Sequence, residues 1–379
     1  MKFVVLICDG AADYSLPELG GKTPLEVAST PNMDYIARRG KVGLLKTLFE
    51  GLPYGSDVAN LGILGYDPRK YYTGRGALEA GAMGIELQEN EVAFRCNLIT
   101  IKNGKIHDYS AGHISSEEAK EIIKLLNEKL NLGKFYAGVS YRNLFVIQLP
   151  EAIKLKTTPP HDIVGEEIEK YLISPDCEIA RKLNNLMLAS RNILKDRKAN
   201  MIWLWGQGKK PDLESFEERY KLRGGVISAV DLIKGIAYYA NMRIIEVEGA
   251  TGYYDTNYEG KANEAIKALE TLDFVYIHVE APDEAGHEGN IEMKIKAIEN
   301  IDKKILGKIL DSGIEASIAV LPDHATPIKA RTHTPEPVPF AIYNPEKKGD
   351  SVKSFSEAEA KHGSFGIRES VEFMGLLLS

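Results

Sequence analysis

The chain has 379 residues, of which 44% are hydrophobic and 27% are charged, a composition typical of a globular protein long enough for two domains. Its formal net charge of −7 at pH 7 argues against a nucleic-acid or membrane-surface partner. The cysteines (Cys8, Cys96 and Cys177) are few and far apart, which argues against a disulfide framework.

The first predicted element is a strand over residues 2–7, and Asp9 follows it closely. This apolar run is too short for a signal peptide, and no run in the sequence approaches the length that a membrane-spanning helix needs. We therefore expect a cytoplasmic protein. A helix is predicted at 33–39, with Gly40 at its end. The dense glycines between 52 and 84 predict a backbone that turns tightly near a ligand.

The middle of the chain is predicted to contain short strands mixed with helices. Asn103-Gly104 is a hairpin turn signal between the first two of these strands. The predicted elements are strands at 93–101, 105–109 and 139–147 and helices at 115–130 and 164–172. Together they predict an α+β cap domain over residues 91–184, inserted into a core formed by residues 1–90 and 185–379.

Strands and helices alternate through the rest of the chain. The predicted strands lie at 201–205, 243–247, 273–279, 317–321 and 338–343, and the predicted helices at 175–195, 227–240, 263–272 and 291–310. Alternation of this kind predicts an α/β fold with a doubly wound, mostly parallel sheet.

Three of the predicted strands run into residues of the types that bind metal ions. The residues are Asp9 after the first strand, Asp283 and His287 after the strand at 273–279, Asp323 and His324 after the strand at 317–321, and His333 a little later. Because the carboxyl ends of neighbouring parallel strands meet in one crevice, we expect these side chains to be neighbours in space. Three Asp and three His side chains suit two metal ions. Taken singly, each could instead be a solvated acid in a turn or a histidine satisfied in the core.

Ser56 is the candidate nucleophile. Gly55 precedes it, which lets the backbone bend and expose the hydroxyl. Two metal ions held close together can activate a hydroxyl and stabilise both oxygens of an in-line phosphoryl displacement. Serines in loops are common, and only the predicted metal ligands distinguish this one. The residues therefore predict a two-metal enzyme, with hydrolysis and transfer both open.

Ten segments carry a resemblance to a known family. They are residues 8–10, 21–26, 30–34, 55–57, 72–76, 108–113, 203–208, 250–261, 280–289 and 331–334. In these segments, which follow one another over nearly the whole chain, the sequence resembles the archaeal-type cofactor-independent (2,3-bisphosphoglycerate-independent) phosphoglycerate mutases. The resemblance implies an alkaline-phosphatase-like core with an inserted substrate domain.

The resemblance also implies roles for the metal-type residues. One ion would be held by Asp283, His287 and His333, and the other by Asp9, Ser56, Asp323 and His324. Ser56 would carry the phosphoryl group as phosphoserine while 3-phosphoglycerate becomes 2-phosphoglycerate, with no need for 2,3-bisphosphoglycerate. The ligand set accepts Mn, Zn, Mg or Co.

A small phosphoglycerate substrate needs cations that bind its carboxylate and phosphate. Guanidinium groups match both anions, so the candidates are Arg75, Arg95, Arg142 and Arg331, with Lys261 as a further cation. Asp108 and His113 are candidates for proton transfer at the glycerate hydroxyl. Each of these residues also has an ordinary interpretation as a surface charge or a turn residue. The histidines left without a role are His107, His161, His278 and His362.

Two alternative functions keep the site and change the chemistry. One is a homoserine kinase-like phosphotransferase, which requires a nucleotide donor, and the other is a metal-dependent phosphatase. A non-catalytic, metal-stabilised binding protein is the alternative of a different class. A closing cap that excludes water is expected to favour return of the phosphoryl group over hydrolysis. The sequence leaves the oligomeric state open.

Overall fold

The computed structural model describes residues 1–149, 154–350 and 352–379. The chain forms two compact units. The larger unit consists of Met1–Tyr72 and Asp212–Ser379, and the smaller unit is Thr73–Pro211. Within the described ranges no helix is both long enough and apolar enough to span a bilayer.

The strands and helices are numbered in chain order. The strands are β1 (Lys2–Cys8), β2 (Lys41–Lys46), β3 (Glu91–Lys102), β4 (Lys105–Asp108), β5 (Lys134–Val139), β6 (Arg142–Gln148), β7 (Met201–Lys209), β8 (Gly224–Ile227), β9 (Arg243–Ile244), β10 (Phe274–Val279), β11 (Ala316–Leu321), β12 (Val338–Tyr343) and β13 (Gly366–Glu369). The α-helices are α1 (Pro24–Val27), α2 (Pro31–Arg39), α3 (Ser56–Ile63), α4 (Pro68–Tyr71), α5 (Arg75–Ala82), α6 (Ser116–Lys129), α7 (Glu178–Leu194), α8 (Phe216–Tyr220), α9 (Asp231–Tyr239), α10 (Tyr258–Ala268), α11 (Ala281–Glu288), α12 (Ile291–Ile301), α13 (Gly307–Asp311), α14 (Glu357–Ala360) and α15 (Phe373–Leu378).

The larger unit is built on one sheet which, over the described residues, has eight strands in the order β13-β2-β12-β11-β1-β10-β8-β9. β1 pairs in parallel with β10 and β11, and β8 and β9 continue the parallel arrangement. β12 runs antiparallel to both of its neighbours. The predicted fold class, an α/β protein with a mostly parallel sheet, is confirmed.

The central strands of this sheet position the residues of the candidate site. β10 and β11 are buried at every residue, and β1 is buried from Val4 onward. Continuous apolar runs are what parallel strands covered by helices require. Because β11, β1 and β10 are adjacent and parallel, the residues that follow them emerge side by side at one edge of the sheet.

The smaller unit is an antiparallel sheet with helices packed on it. β3 pairs with β4, β6 and β7, and β6 pairs with β5. The smaller unit, Thr73–Pro211, covers more of the chain than the predicted insertion at 91–184. It extends in both directions because α5 packs against β3 and β7, and because β7 pairs along most of β3.

The strand predicted at 139–147 is wrong in its extent. Two strands, β5 and β6, occupy this region, and Ser140 lies between them in the left-handed backbone region with φ of 56°. The left-handed conformation allows the chain to reverse direction tightly. The region is therefore a hairpin.

The helix predicted at 164–172 is also wrong. The backbone N–H of Gly165 donates to the carbonyl of Ile106 at 2.8 Å, and that of Ile168 donates to Gly104 at 3.0 Å. These bonds to the hairpin at β4 replace helical hydrogen bonds, and only a 3₁₀ turn forms at Ile168–Tyr171. Long-range pairing has outweighed local propensity.

Lys294 fixes the loop that follows β11. Its side chain on α12 is fully buried, and its Nζ donates to Asp13 Oδ2 and to the carbonyl of Thr326, both at 2.8 Å. The Asp13 carboxylate also accepts a hydrogen bond from the backbone N–H of Ile328. The ion pair therefore ties the loop to α12 immediately after His324.

Lys294→Met is expected to lower the free energy of unfolding by about 3–5 kcal/mol, because it leaves the Asp13 carboxylate buried without its partner. Lys296→Met, at an exposed position of the same helix, is expected to change it by less than about 0.5 kcal/mol. Urea unfolding of both variants measures the difference. Equal stabilities would contradict this role of Lys294.

Candidate active site and metal centre

The structure brings the strand-end residues together at one edge of the sheet. Asp9 follows β1, Asp323 and His324 follow β11, and Asp283 and His287 lie on α11 directly after β10. The carboxylates are buried, and so is His324. The convergence predicted from the sequence therefore exists in the fold.

One cluster consists of Asp283, His287 and His333. Asp283 Oδ2 lies 3.2 Å from His287 Nε2, and Asp283 Oδ1 lies 3.5 Å from His333 Nε2. Asp283 and His287 are four apart on α11, so one turn of helix places both on the same side. One ligand atom from each of the three residues lies within 4.8 Å of the others, close enough to share one cation.

A second cluster surrounds Ser56. Ser56 is the first residue of α3, and its Oγ lies 3.0 Å from His324 Nε2. The same nitrogen lies 3.4 Å from Asp9 Oδ1 and 3.7 Å from Asp323 Oδ2. The N-terminus of a helix favours negative charge, which suits an anionic group at this serine.

Burial and close charges shift the pKa values of the acids and imidazoles in the site. Burial and the neighbouring Asp323 charge raise the pKa of Asp9 well above its ordinary value. Burial lowers the pKa of His324 to about 4, so this imidazole is neutral near pH 7 and has a lone pair to offer. The hydrogen bond to Asp283 raises the pKa of His287 to about 9. Buried carboxylates this close together repel one another, and a bound cation would stabilise their charged forms.

Hydrogen bonds to the outer ring nitrogens orient two of the imidazoles. His287 Nδ1 lies 3.0 Å from the carbonyl of Arg331, and His333 Nδ1 lies 2.9 Å from the carbonyl of Tyr54. An Nδ1–H that donates to a carbonyl turns Nε2 toward Asp283, and a cation that displaces the Nε2 proton would meet its lone pair there.

The donor set fits two divalent ions. The oxygen and imidazole ligands match the preferences of Zn and Mn. Asp9 Oδ1 is also buried without a hydrogen-bond partner among the described residues, a costly state that a bound cation would relieve.

Four further side chains, none of them predicted from the sequence as a site residue, contact the clustered acids or one another. Asn60 Nδ2 donates to Asp323 Oδ2 at 2.8 Å, and Tyr276 donates to Asn60 in turn. Thr326 donates to Asp283. His278 lies against Asp9 and Asp323. The position of Asn60, four residues after Ser56 on α3, is a signal that could have identified it.

Two of the predicted substrate-binding cations lie in the larger unit. The Lys261 side chain is buried, and its Nζ donates to the carbonyl of His278 at 2.9 Å, near the end of β10. Burial lowers the pKa of Lys261 to about 8. Arg331 is exposed, and its carbonyl rather than its guanidinium meets His287.

The remaining predicted cations lie in the smaller unit. Arg95 is buried, pairs with Glu79 at 3.1 Å and lies over the ring of Trp205. Arg142 lies on β6, which pairs with the Arg95 strand β3, and the side chains of Arg75 and Arg95 both lie beside Gly206. Burial lowers the pKa of Arg95, and the positive charges of Arg75 and Arg142 lower it further.

Asp108 and His113 belong to one turn of the smaller unit. The Asp108 carboxylate accepts hydrogen bonds from the N–H groups of Ser110 and Gly112 and from the Ser110 hydroxyl. The ring of His113 lies beside that of Tyr141. These bonds shape the turn, and the proton-transfer role of the two residues stays a prediction.

Comparison with known proteins agrees with the resemblance. The family model for 2,3-bisphosphoglycerate-independent phosphoglycerate mutase matches residues 37–200. A protein of that name from Methanothermobacter thermautotrophicus is 52% identical, with 100% of this chain and 97% of the relative covered.

Two solved structures share the fold over the whole chain. A protein from Pyrococcus horikoshii has a TM-score of 0.85 at 30% identity, with 100% of this chain and 96% of that chain covered. A cofactor-independent phosphoglycerate mutase from Thermoplasma acidophilum has a TM-score of 0.69 at 26% identity, with 100% and 99% covered. On these similarities, the chain belongs to the family of 2,3-bisphosphoglycerate-independent phosphoglycerate mutases.

Proposed function

We propose that this protein interconverts 3-phosphoglycerate and 2-phosphoglycerate through a phosphoserine at Ser56. The observation that carries the proposal is the position of Ser56 in a chain of this family. Its hydroxyl lies at a helix N-terminus, 3.0 Å from a buried, neutral imidazole. The same imidazole nitrogen lies 3.4 Å and 3.7 Å from two buried carboxylates. A serine in such surroundings is placed to become a nucleophile.

Two divalent ions are part of the proposal. Asp283, His287 and His333 would hold one, and Asp9, Ser56, Asp323 and His324 the other. When bound, the ions supply positive charge that lowers the pKa of the serine hydroxyl and stabilises the phosphoryl oxygens. Their identity among Mn, Zn, Mg and Co follows from availability as much as from ligand type.

The proposed reaction has two phosphoryl-transfer steps. The deprotonated Ser56 Oγ attacks the phosphorus of 3-phosphoglycerate, the bond to O3 breaks, and O3 takes up a proton. O2 of the same glycerate then loses its proton and attacks the phosphoserine, which releases Ser56 and gives 2-phosphoglycerate. The balance needs no external donor, so 2,3-bisphosphoglycerate is not required. Asp108 and His113 are proposed to handle the hydroxyl protons.

The substrate anions are proposed to be bound by the cations named above. Arg75, Arg95 and Arg142 lie on neighbouring parts of the smaller unit, and planar guanidinium groups bind carboxylate and phosphate in two-point contacts. Lys261 and Arg331 complete the proposed set. A small phosphoglycerate is then the substrate, and a cytoplasmic place in glycolysis and gluconeogenesis stays a prediction.

Conversion of 3-phosphoglycerate by metal-reconstituted protein, with 2,3-bisphosphoglycerate removed, tests the proposal. We expect 2-phosphoglycerate to form without stoichiometric release of inorganic phosphate. Release of inorganic phosphate as the main product would instead identify a phosphatase. Failure of the conversion together with ATP-dependent phosphorylation of homoserine would identify the kinase-like alternative.

Arg142→Ala is expected to lower kcat/KM for 3-phosphoglycerate roughly 10- to 100-fold, because it removes charge-assisted hydrogen bonds to the substrate. Metal content should not change. Arg191→Ala, at an exposed position of α7 in the same unit, serves as the matched control and should keep the parent kcat/KM. Steady-state kinetics of the two variants decide whether Arg142 binds substrate, and indistinguishable values would remove it from the proposed set.

A further inference from the structure

His278 has no role among those predicted from the sequence. It is the fifth residue of β10, and its side chain is fully buried. Neither ring nitrogen has a hydrogen-bond partner among the described residues. Buried polar atoms are nearly always paired, so this ring calls for a partner that is not a protein hydrogen bond.

The surroundings of the ring indicate what that partner is. His278 Nε2 lies 3.3 Å from Asp9 Oδ2 and 3.6 Å from Asp323 Oδ2. These separations are longer than a good N–H···O hydrogen bond, which spans about 2.7–3.2 Å. Two ligands of one zinc ion, each about 2.0–2.2 Å from it and separated by about 90–120°, lie about 2.8–3.8 Å apart. The distances therefore suit donors that share a cation.

The same spacing recurs around His324, a residue already in the predicted ligand set. Its Nε2 lies 3.4 Å from Asp9 Oδ1 and 3.7 Å from Asp323 Oδ2. His278 and His324 thus face the same pair of carboxylates at the same range of distance. One ligand atom from each of His278, Asp9 and Asp323 lies within 4.8 Å of the others.

We propose that His278 Nε2 is a further ligand of the divalent ion held by Asp9 and Asp323. The inference rests on the proposed function, because it assumes that an ion binds there. His278 lies within a strand, whereas the other proposed protein ligands lie beyond strand ends. A second imidazole beside two carboxylates would also favour Zn, Mn or Co over Mg.

Nitrogen NMR of the wild-type protein tests the proposal with all of the site residues in place, and variants serve only to assign the resonances. Metal-free protein labelled with ¹⁵N-histidine is titrated with Zn²⁺, and the imidazole resonances are assigned from single variants. We expect the Nε2 resonances of His278 and His324 to shift together, while exposed His362 does not respond. A shift at His324 without one at His278 overturns the inference and leaves the metal site intact. No shift at either residue overturns the metal site as well.

A matched pair of variants gives a second measurement. His278→Asn is expected to weaken binding of one of two Zn²⁺ ions by at least about tenfold, a loss that partners of a metal ligand typically cause. His362→Asn is the control and should bind both ions like the wild type. Circular dichroism verifies that the variant is folded, and if it is not, the NMR titration decides alone. Unchanged affinity in a folded His278→Asn overturns the inference.

Discussion

Ser56→Ala is expected to reduce mutase turnover roughly 10⁴- to 10⁶-fold, the size of loss seen when a nucleophilic serine is removed. The reason is chemical, since alanine has no oxygen to accept the phosphoryl group. The fold should persist, because Ser56 occupies the first position of α3, where its side chain is not needed to form the helix. The measurement is the initial rate of 2-phosphoglycerate formation.

The comparison for this variant is Ser29→Ala, at an exposed position of the same unit two residues before α2, which should keep the parent rate. Protein quenched during turnover with ³²P-labelled substrate should carry acid-stable label in the parent and none in Ser56→Ala. Retention of normal rates in Ser56→Ala would show that the phosphoryl group travels by another route.

Removal of metal ions should have the second large effect. Chelation is expected to lower turnover by roughly 10³-fold or more, because ions at a phosphoryl group contribute several kcal/mol of charge stabilisation. The melting temperature should fall as well, since the buried carboxylates of Asp9 and Asp323 would then lose the positive charge of the bound ions. Reconstitution with Mn, Co, Zn and Mg in turn, followed by turnover and melting measurements, identifies the effective ions.

Asp283→Asn removes one of the proposed metal ligands, and Glu292→Gln, at an exposed position of α12, is its control. We expect the first to bind fewer ions and to lose turnover, and the second to match the parent in both. A chelated protein that keeps full turnover would contradict a metal-dependent mechanism.

The convergence of the strand-end residues could be predicted from the sequence. Parallel strands place their carboxyl ends at one edge, so a buried apolar run followed by Asp or His marks that edge without any knowledge of long-range contacts. This reasoning placed Asp9, Asp283 and Asp323 together although they are far apart in the chain, and the structure agrees.

His278 and Asn60 escaped the same reasoning for physical reasons. His278 lies inside β10 rather than after it, so only the alternation of side chains along the strand determines which face it occupies. Asn60 contributes through a hydrogen bond to Asp323 from a helix whose packing the sequence does not specify. The helix expected at 164–172 failed for a related reason, because hydrogen bonds from a distant hairpin replaced those of the helix.

The central claim is that Ser56 takes the phosphoryl group and returns it to the same glycerate. Protein loaded with metal would convert an equal mixture of unlabelled 3-phosphoglycerate and 3-phosphoglycerate with ¹³C in the glycerate and ¹⁸O in the phosphoryl group. Mass spectrometry of the early product should show 2-phosphoglycerate with both labels or with neither. Product with only one of the labels, or label lost to inorganic phosphate at the rate of turnover, would contradict the account.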